Sequence, residues 1–255
     1  MQYAYLSSTV NIKTISEDAK KGVFEIDGLF AGYGLTIGNT LRRALLSSLP
    51  GAAVTEFKIK NVHHEFSTLP GVKEDVVEIS LNMKKIRFKM YTDEPQALLL
   101  KAKGEKIVVA GDIDKNAMAE VVNPEEVIAT LTSKDAELEM EIKIERGLGY
   151  SPVESRKAER LSIGTIAVDA LFTPVERVDY SVENMRVGER TDYNRLRIEI
   201  ETDGTISPSA ALHKTANILK DHFDKVSAVQ VQEFGELKTE RAIEEPKKRG
   251  RPRKA

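Results

Sequence analysis

Through the middle of the chain, apolar and polar positions alternate one for one. In "ELEMEIKIE", Leu138, Met140, Ile142 and Ile144 are separated by polar residues, the period of two of a strand with one wet face. "LRIEIETDGTI" repeats the alternation through Leu196, Ile198 and Ile200, then reaches the turn signal Asp203-Gly204. Alternation, rather than continuous aliphatic runs, predicts antiparallel sheets with one solvated side. Two segments switch to a helical period. "TIGNTLRRALLSSLPG" places Ile37, Leu41, Leu45 and Leu49 on one face, with Thr36 as N-cap and Pro50-Gly51 as the stop. That predicts a helix over 37–49, about 20 Å long. "SPSAALHKTANILKDHFDKVSA" predicts a second, with Ser207 as N-cap and Pro208 at the first helical position. Its Leu212, Ala216, Leu219, Phe223 and Val226 follow the 4-3-4-3 spacing of a packing seam. Such a seam either lies on the chain's own sheet or joins two copies of the chain. From about Gly235 the pattern fades into charged, proline-containing sequence, the composition of a tail.

The totals narrow the chemistry. A length of 255 residues suits one large domain or two modest ones with a sizeable core, and 41% apolar with 31% charged residues is a soluble globular composition. There is no cysteine, which excludes disulfides, thiolate metal sites and a cysteine nucleophile. "MQYAYLSSTVNIKT" lacks the basic start and apolar stretch of a signal peptide, and runs such as "ALLL" and "IVVA" are too short to span a bilayer. A cytoplasmic setting without a membrane partner is expected.

Candidate reaction centres are few and weak. "GYGLTIG" carries Gly32, Gly34 and Gly38 into a helix, as a dinucleotide-binding turn would. The sequence beyond that helix is strand-like, not the required βαβ unit, so the match is weak. No phosphate-binding G-x-x-x-x-G-K-[ST] and no H-E-x-x-H is present. His63 and His64 are adjacent, so on a strand they point to opposite faces and cannot chelate together. His213 and His222 stand nine apart on the second helix without a motif that uses them. "KEDVVE" is rich in carboxylates, but abundance does not select an acid/base pair. These residues favour a binding or assembly protein over an enzyme acting alone.

Three long blocks then carry a resemblance. "GYGLTIGNTLRRALLSSLPGAAVTEFKIKNVHHEFSTLPGVKEDVVEISLNMK", "ERGLGYSPVESRK" and "IAVDALFTPVERVDYSVENMRVGERTDYNRLRIEIETDGTISPSAALHKTANIL" resemble, in order, the N-terminal region of bacterial RNA polymerase α subunits, over roughly residues 25–230. The resemblance implies an α+β fold of two subdomains. Residues 1–50 with 168–232 would form a discontinuous dimerisation subdomain, two packed helices on a sheet, and 51–167 an inserted β-rich one. It implies a non-catalytic scaffold within a nucleotidyltransferase: a homodimer that nucleates assembly of the β and β′ subunits, with ω and sigma in the complex. Catalysis, with its Mg and Zn, would belong to the large subunits, leaving this chain without a cofactor. Leu41 and Leu45 would join Leu212, Ala216, Leu219, Phe223 and Val226 in the dimer core. Arg43 matches the family's arginine used to dock β, where a planar guanidinium can pair bidentately with carboxylate or backbone oxygens. Arg42, Leu46 and the segment around His64 match neighbouring contacts, and Val168, Asp169 and Pro174 fall in a region the family places toward β′.

The resemblance does not extend to the helical C-terminal domain that binds upstream promoter DNA in most members, whether by nature or by truncation. Six basic residues instead lie between Lys247 and Lys254; without them 38 basic residues fall to 32 against 40 acidic ones, a body of about −8. Within this run, Arg249-Gly250-Arg251-Pro252, followed by Arg253, resembles an AT-hook core. Its glycine permits close approach to a narrow minor groove and its arginines reach along it. Generic phosphate attraction is the simpler account of such a run. From a different class, a stand-alone dimeric DNA-binding protein using this tail is the alternative reading.

Overall fold

The structure, a computed structural model, describes residues 8–156, 162 and 164–229. The tail residues expected to contact DNA, Arg249, Gly250, Arg251, Pro252 and Arg253, lie outside the described residues. Two antiparallel strands, β1 (Asn11–Glu17) and β2 (Lys21–Leu29), lead into α1 (Tyr33–Ser47). The chain then enters a second sheet through β3 (Pro50–Ile59), α2 (Val76–Met83), β4 (Phe88–Met90), β5 (Gln96–Lys103), β6 (Lys106–Val109), β7 (Ala119–Val121), β8 (Val127–Leu131) and β9 (Glu137–Leu148). Short strands β10 (Tyr150–Ser151), β11 (Thr165–Ala167) and β12 (Ala170–Leu171) bring it back to the first sheet. There β13 (Val175–Val187) and β14 (Arg190–Thr202) form a long hairpin, followed by α3 (Pro208–Ser227).

The first sheet has the order β1-β2-β14-β13 with α1 and α3 packed on it; the second runs β5-β9-β3-β4-β7, with β11 added to β3. Every pairing between named strands is antiparallel, as the alternation predicts. In β9 the predicted apolar residues Leu138, Met140, Ile142 and Ile144 are all essentially buried, and in β14 so are Leu196, Ile198 and Ile200. The architecture is the α+β one expected.

The buried apolar residues form two main clusters. One gathers Phe24, Ile26, Leu41, Leu45, Leu49, Val175, Val178, Leu196, Ile198, Ile200 and Ala211 between the first sheet and its helices. The other fills the second sheet around Phe57, Met83, Phe88, Leu100, Leu138 and Ile142. A small third cluster of Ala53, Ala170 and Phe172 lies where the chain passes between them.

Local details differ from the sequence reading. Helix α1 starts four residues before Ile37, and Thr36 is not its cap: it sits inside the helix, its Oγ1 donating to the Gly32 carbonyl. Gly32 holds the cap position at φ +85°, a left-handed conformation that glycine adopts without a Cβ penalty. Pro50-Gly51 belongs to β3 and starts the next strand immediately. Asp203-Gly204 makes a turn but not a hairpin. The Asp203 carboxylate accepts from the Thr205 N–H and hydroxyl, bending the chain into α3, whose Ser207 cap and first-position Pro208 are as predicted. Helix α2 escaped the sequence reading because its eight residues, capped by Asp75, are too few to establish a helical period.

The wet face of the second sheet is a ladder of cross-strand ion pairs. Glu139 on β9 accepts from Lys60 at 2.8 Å and Lys101 at 2.9 Å. Hydrogen bonds from these two ammonium groups, with their charges, lower the Glu139 carboxyl to about 2. A depressed folded-state value stabilises the fold above the ordinary glutamate range and loses that contribution as pH falls toward 2. Glu139→Gln is therefore expected to be less stable than the parent at pH 7, with the gap closing between about pH 4.5 and 2. Denaturant unfolding of both chains across that range measures it; a gap independent of pH would contradict the assignment.

Candidate functional site

Helix α1 carries the arginines singled out by the sequence, and its placement decides where they point. Gly34 and Gly38 face the sheet. A Cβ on Gly34 would stand 2.6 Å from Val182 Cγ1, and one on Gly38 would stand 2.8 Å from Tyr180 Cδ2 and 2.9 Å from Leu196 Cδ1. The glycine pattern that mimics a nucleotide-binding turn is thus a packing device that lets the helix backbone lie against β13 and β14. No side chain of the helix's own start caps it. Asn194 on β14, itself buried, accepts from the Gly32 N–H at 2.9 Å and the Gly34 N–H at 3.3 Å, and donates to Asn184. The two contacts to the helix start span 162 and 160 residues of sequence, so no local cap signal reveals them.

With the inner face fixed, Arg42 and Arg43 separate. The Arg42 Nε donates to the Val178 carbonyl at 3.2 Å, tying that side chain to β13. Arg43 is exposed and makes no side-chain hydrogen bond or ion pair among the described residues. Leu46 is half-buried against the core of the first sheet. Leu41 and Leu45, expected at a seam with a second chain, are instead core residues of this one, 7% and 0% exposed, because they project onto the sheet beside the two glycines.

The seam on α3 divides in the same way. Leu212 and Leu219 are half-buried against the chain's own core, while Ala216 is exposed. The stripe facing inward is Ala211, Thr215 and Ile218, one position before the seam expected to join two chains. From Lys220 onward every described residue is exposed, including Phe223 (63%), Val226 (68%) and Val229 (71%). The last turns of α3 thus leave the sheet with an apolar stripe uncovered.

His63 and His64 lie in the loop after β3 rather than on a strand. His64 shares a hydrogen bond with Ser67, next to exposed Phe66. On the nearby α2, Val77 and Leu81 are exposed one turn apart. The carboxylates of "KEDVVE" have structural work: Glu74 accepts from the Thr130 N–H and hydroxyl, and Asp75 caps α2. Val168 is buried in the second core and Pro174 is buried at the chain crossing, so neither side chain presents a surface. Asp169 accepts from Lys84 at 2.9 Å and from the Val153 N–H, contacts that hold its carboxyl below the ordinary range. On α3, His222 donates to the Ile218 carbonyl and His213 pairs with Asn217. Among the described residues no three metal-ligating side chains come together, and no helix is long and apolar enough to cross a membrane.

Comparison with known proteins identifies the family. Residues 57–173 match the model of the RNA polymerase Rpb3/RpoA insert domain. The chain is 48% identical over 215 residues to the DNA-directed RNA polymerase subunit alpha of Alkaliphilus oremlandii (strain OhILAs), covering 84% of this chain and 68% of that protein. The same subunit of Moorella thermoacetica (strain ATCC 39073 / JCM 9320) is 50% identical over 205 residues, 80% of this chain and 65% of its own length. That of Roseiflexus sp. (strain RS-1) is 48% identical over 229 residues, 90% and 69%. The chain thus spans about two thirds of the length of these relatives. With a matching insert domain and near-half identity over most of its residues, the chain belongs to the family of DNA-directed RNA polymerase alpha subunits.

Proposed function

We propose that this chain is a non-catalytic, cytoplasmic scaffold of a DNA-directed RNA polymerase, which forms a homodimer and on it assembles the β and β′ subunits, with ω and sigma joining the complex. The observation that carries the reading is the pairing of an outward Arg43, without a side-chain partner among the described residues, with an apolar stripe that leaves the body on α3, both on a chain of this family. An exposed guanidinium offers five donors to a carboxylate or backbone carbonyl of another subunit. In this reading residues 1–50 with 168–232 form the dimerising subdomain and 51–167 the insert. Phosphoryl transfer, with its Mg and Zn, belongs to the large subunits.

Arg43→Ala is expected to leave a folded protein of unchanged oligomeric state that no longer captures co-expressed β. A desolvated arginine at an interface centre contributes at least about 2 kcal/mol, some 30-fold in affinity. Undiminished capture in a pull-down would remove Arg43 from the docking surface.

The basic run Lys247–Lys254 extends the proposal to DNA. Six cations bound a log–log salt slope near about −5, and a minor-groove mode adds a preference for A·T-rich duplexes. Anisotropy titrations at two salt concentrations test this; equal affinity for A·T-rich and G·C-rich duplexes would leave phosphate attraction alone.

A further inference from the structure

The two cores are joined by two chain passages, from Ser47 to Pro50 and from Leu171 to Val175, and by little else that is covalent or regular. At these passages Phe172 forms the apolar side of the junction. It packs with Ala53 and Ala170, and Gly51 and Gly147 lie so close that a Cβ on either would meet it. The opposite, polar side is built around one residue that none of the sequence patterns identified. Arg87, between Ile86 of the second core and β4, is held by its own backbone: its N–H donates to Asn123 Oδ1 at 2.7 Å and its carbonyl accepts from the Val122 N–H at 2.9 Å. Its guanidinium, 18% exposed, leaves the second sheet and reaches the first. It stands 3.5 Å from Glu176 on β13 and 3.9 Å from Asp203 at the end of β14.

We propose that Arg87 is a positioning residue whose guanidinium, shared between Glu176 and Asp203, sets the orientation of the insert relative to the helix-bearing sheet. The geometry favours a latch over a surface ion pair. The Asp203 side chain is only 6% exposed, and its backbone N–H is fixed to the Pro174 carbonyl at 3.0 Å, at the passage between the two bodies. Burial pushes the Asp203 carboxyl up, while its hydrogen bonds from Thr205 and the charge of Arg87 favour the ionised form, and removing the partner of a buried charge costs far more than breaking a solvated pair. Rotation of the insert about the two passages would strip Asp203 of that countercharge. Domain interfaces without such a restraint move by default. Because the Arg43 helix and the His64 loop sit on different bodies, the latch sets the spacing of the two docking regions. That consequence rests on the function proposed above; the latch itself does not.

The absence of cysteine makes the test direct. Spin labels at Lys115→Cys on the insert and Glu183→Cys on β13, both exposed positions, report the spacing of the two bodies. Labelled chain is diluted with unlabelled chain, so that distances within one protomer dominate. The parent and Arg87→Lys are expected to give one narrow distance distribution. Arg87→Ala is expected to widen it, as relative motion is the default at an unrestrained domain interface, while slow amide exchange at Ile142 and Leu196 persists and both cores stay folded. Should Arg87→Ala unfold, the Glu176→Gln, Asp203→Asn double variant keeps side-chain shape, removes both charges and is expected to widen the distribution as well. An unchanged distribution in either folded variant overturns the proposal, whether or not β is still captured.

Discussion

A Phe223→Asp chain is expected to sediment as a folded monomer where the parent sediments as a dimer. Phe223 is 63% exposed and touches neither core, so the substitution removes nothing that holds one chain together. In a two-fold symmetric dimer the same side chain enters the interface twice. Each copy then places a carboxylate against an apolar seam formed with Val226, where burying an unpaired charge is strongly unfavourable. At about 2 kcal/mol per copy, the conservative value for a central aromatic anchor, dissociation strengthens by about a thousand-fold. Phe223→Leu keeps the apolar contact and is expected to remain dimeric. Sedimentation over a range of concentrations separates the outcomes, and an intact Phe223→Asp dimer would place the seam elsewhere.

The second large effect concerns the helix that presents Arg43. Gly38→Leu is expected to lower stability by about 3 kcal/mol, the upper range for overpacking a tight contact. In a chain of this size that corresponds to a fall in Tm of about 10 °C. The cause is specific: Leu196 is fully buried and Tyr180 half-buried, and both already stand within van der Waals contact of where a Cβ would be. Even Gly38→Ala is expected to destabilise, although in an ordinary helix interior alanine is better than glycine by about 1 kcal/mol. Asn39→Ala, on the exposed face of the same turn, is expected to be neutral or slightly stabilising. Thermal unfolding of the three variants reads the sign directly; a stabilised Gly38→Ala would mean that the helix does not lie this close to β13 and β14.

The same two residues show how far the sequence could be read. The "GYGLTIG" run was visible as a pattern, but its meaning depends on what stands opposite Gly34 and Gly38, and those partners lie more than 140 residues away on β13 and β14. Periodicity identified α3, its cap and its apolar seam, but not which neighbouring positions meet the chain's own sheet. Leu212 and Leu219 flank Ala211, Thr215 and Ile218, whose small or branched side chains fit the sheet. Asn194 and Arg87 carried no local signal at all, since a cap or an ion pair made across the fold leaves no fixed spacing in the chain.

Strand alternation, the Ser207-Pro208 helix start, the absence of cysteine and the three family blocks were determined by the sequence alone, because each depends on residues close together along the chain. Which face of α1 is buried, which of two adjacent arginines is tied down, and where α3 leaves the body were decided only by tertiary structure. The reason is physical: exposure is a property of what packs against a side chain, and here those neighbours come from opposite ends of the sequence.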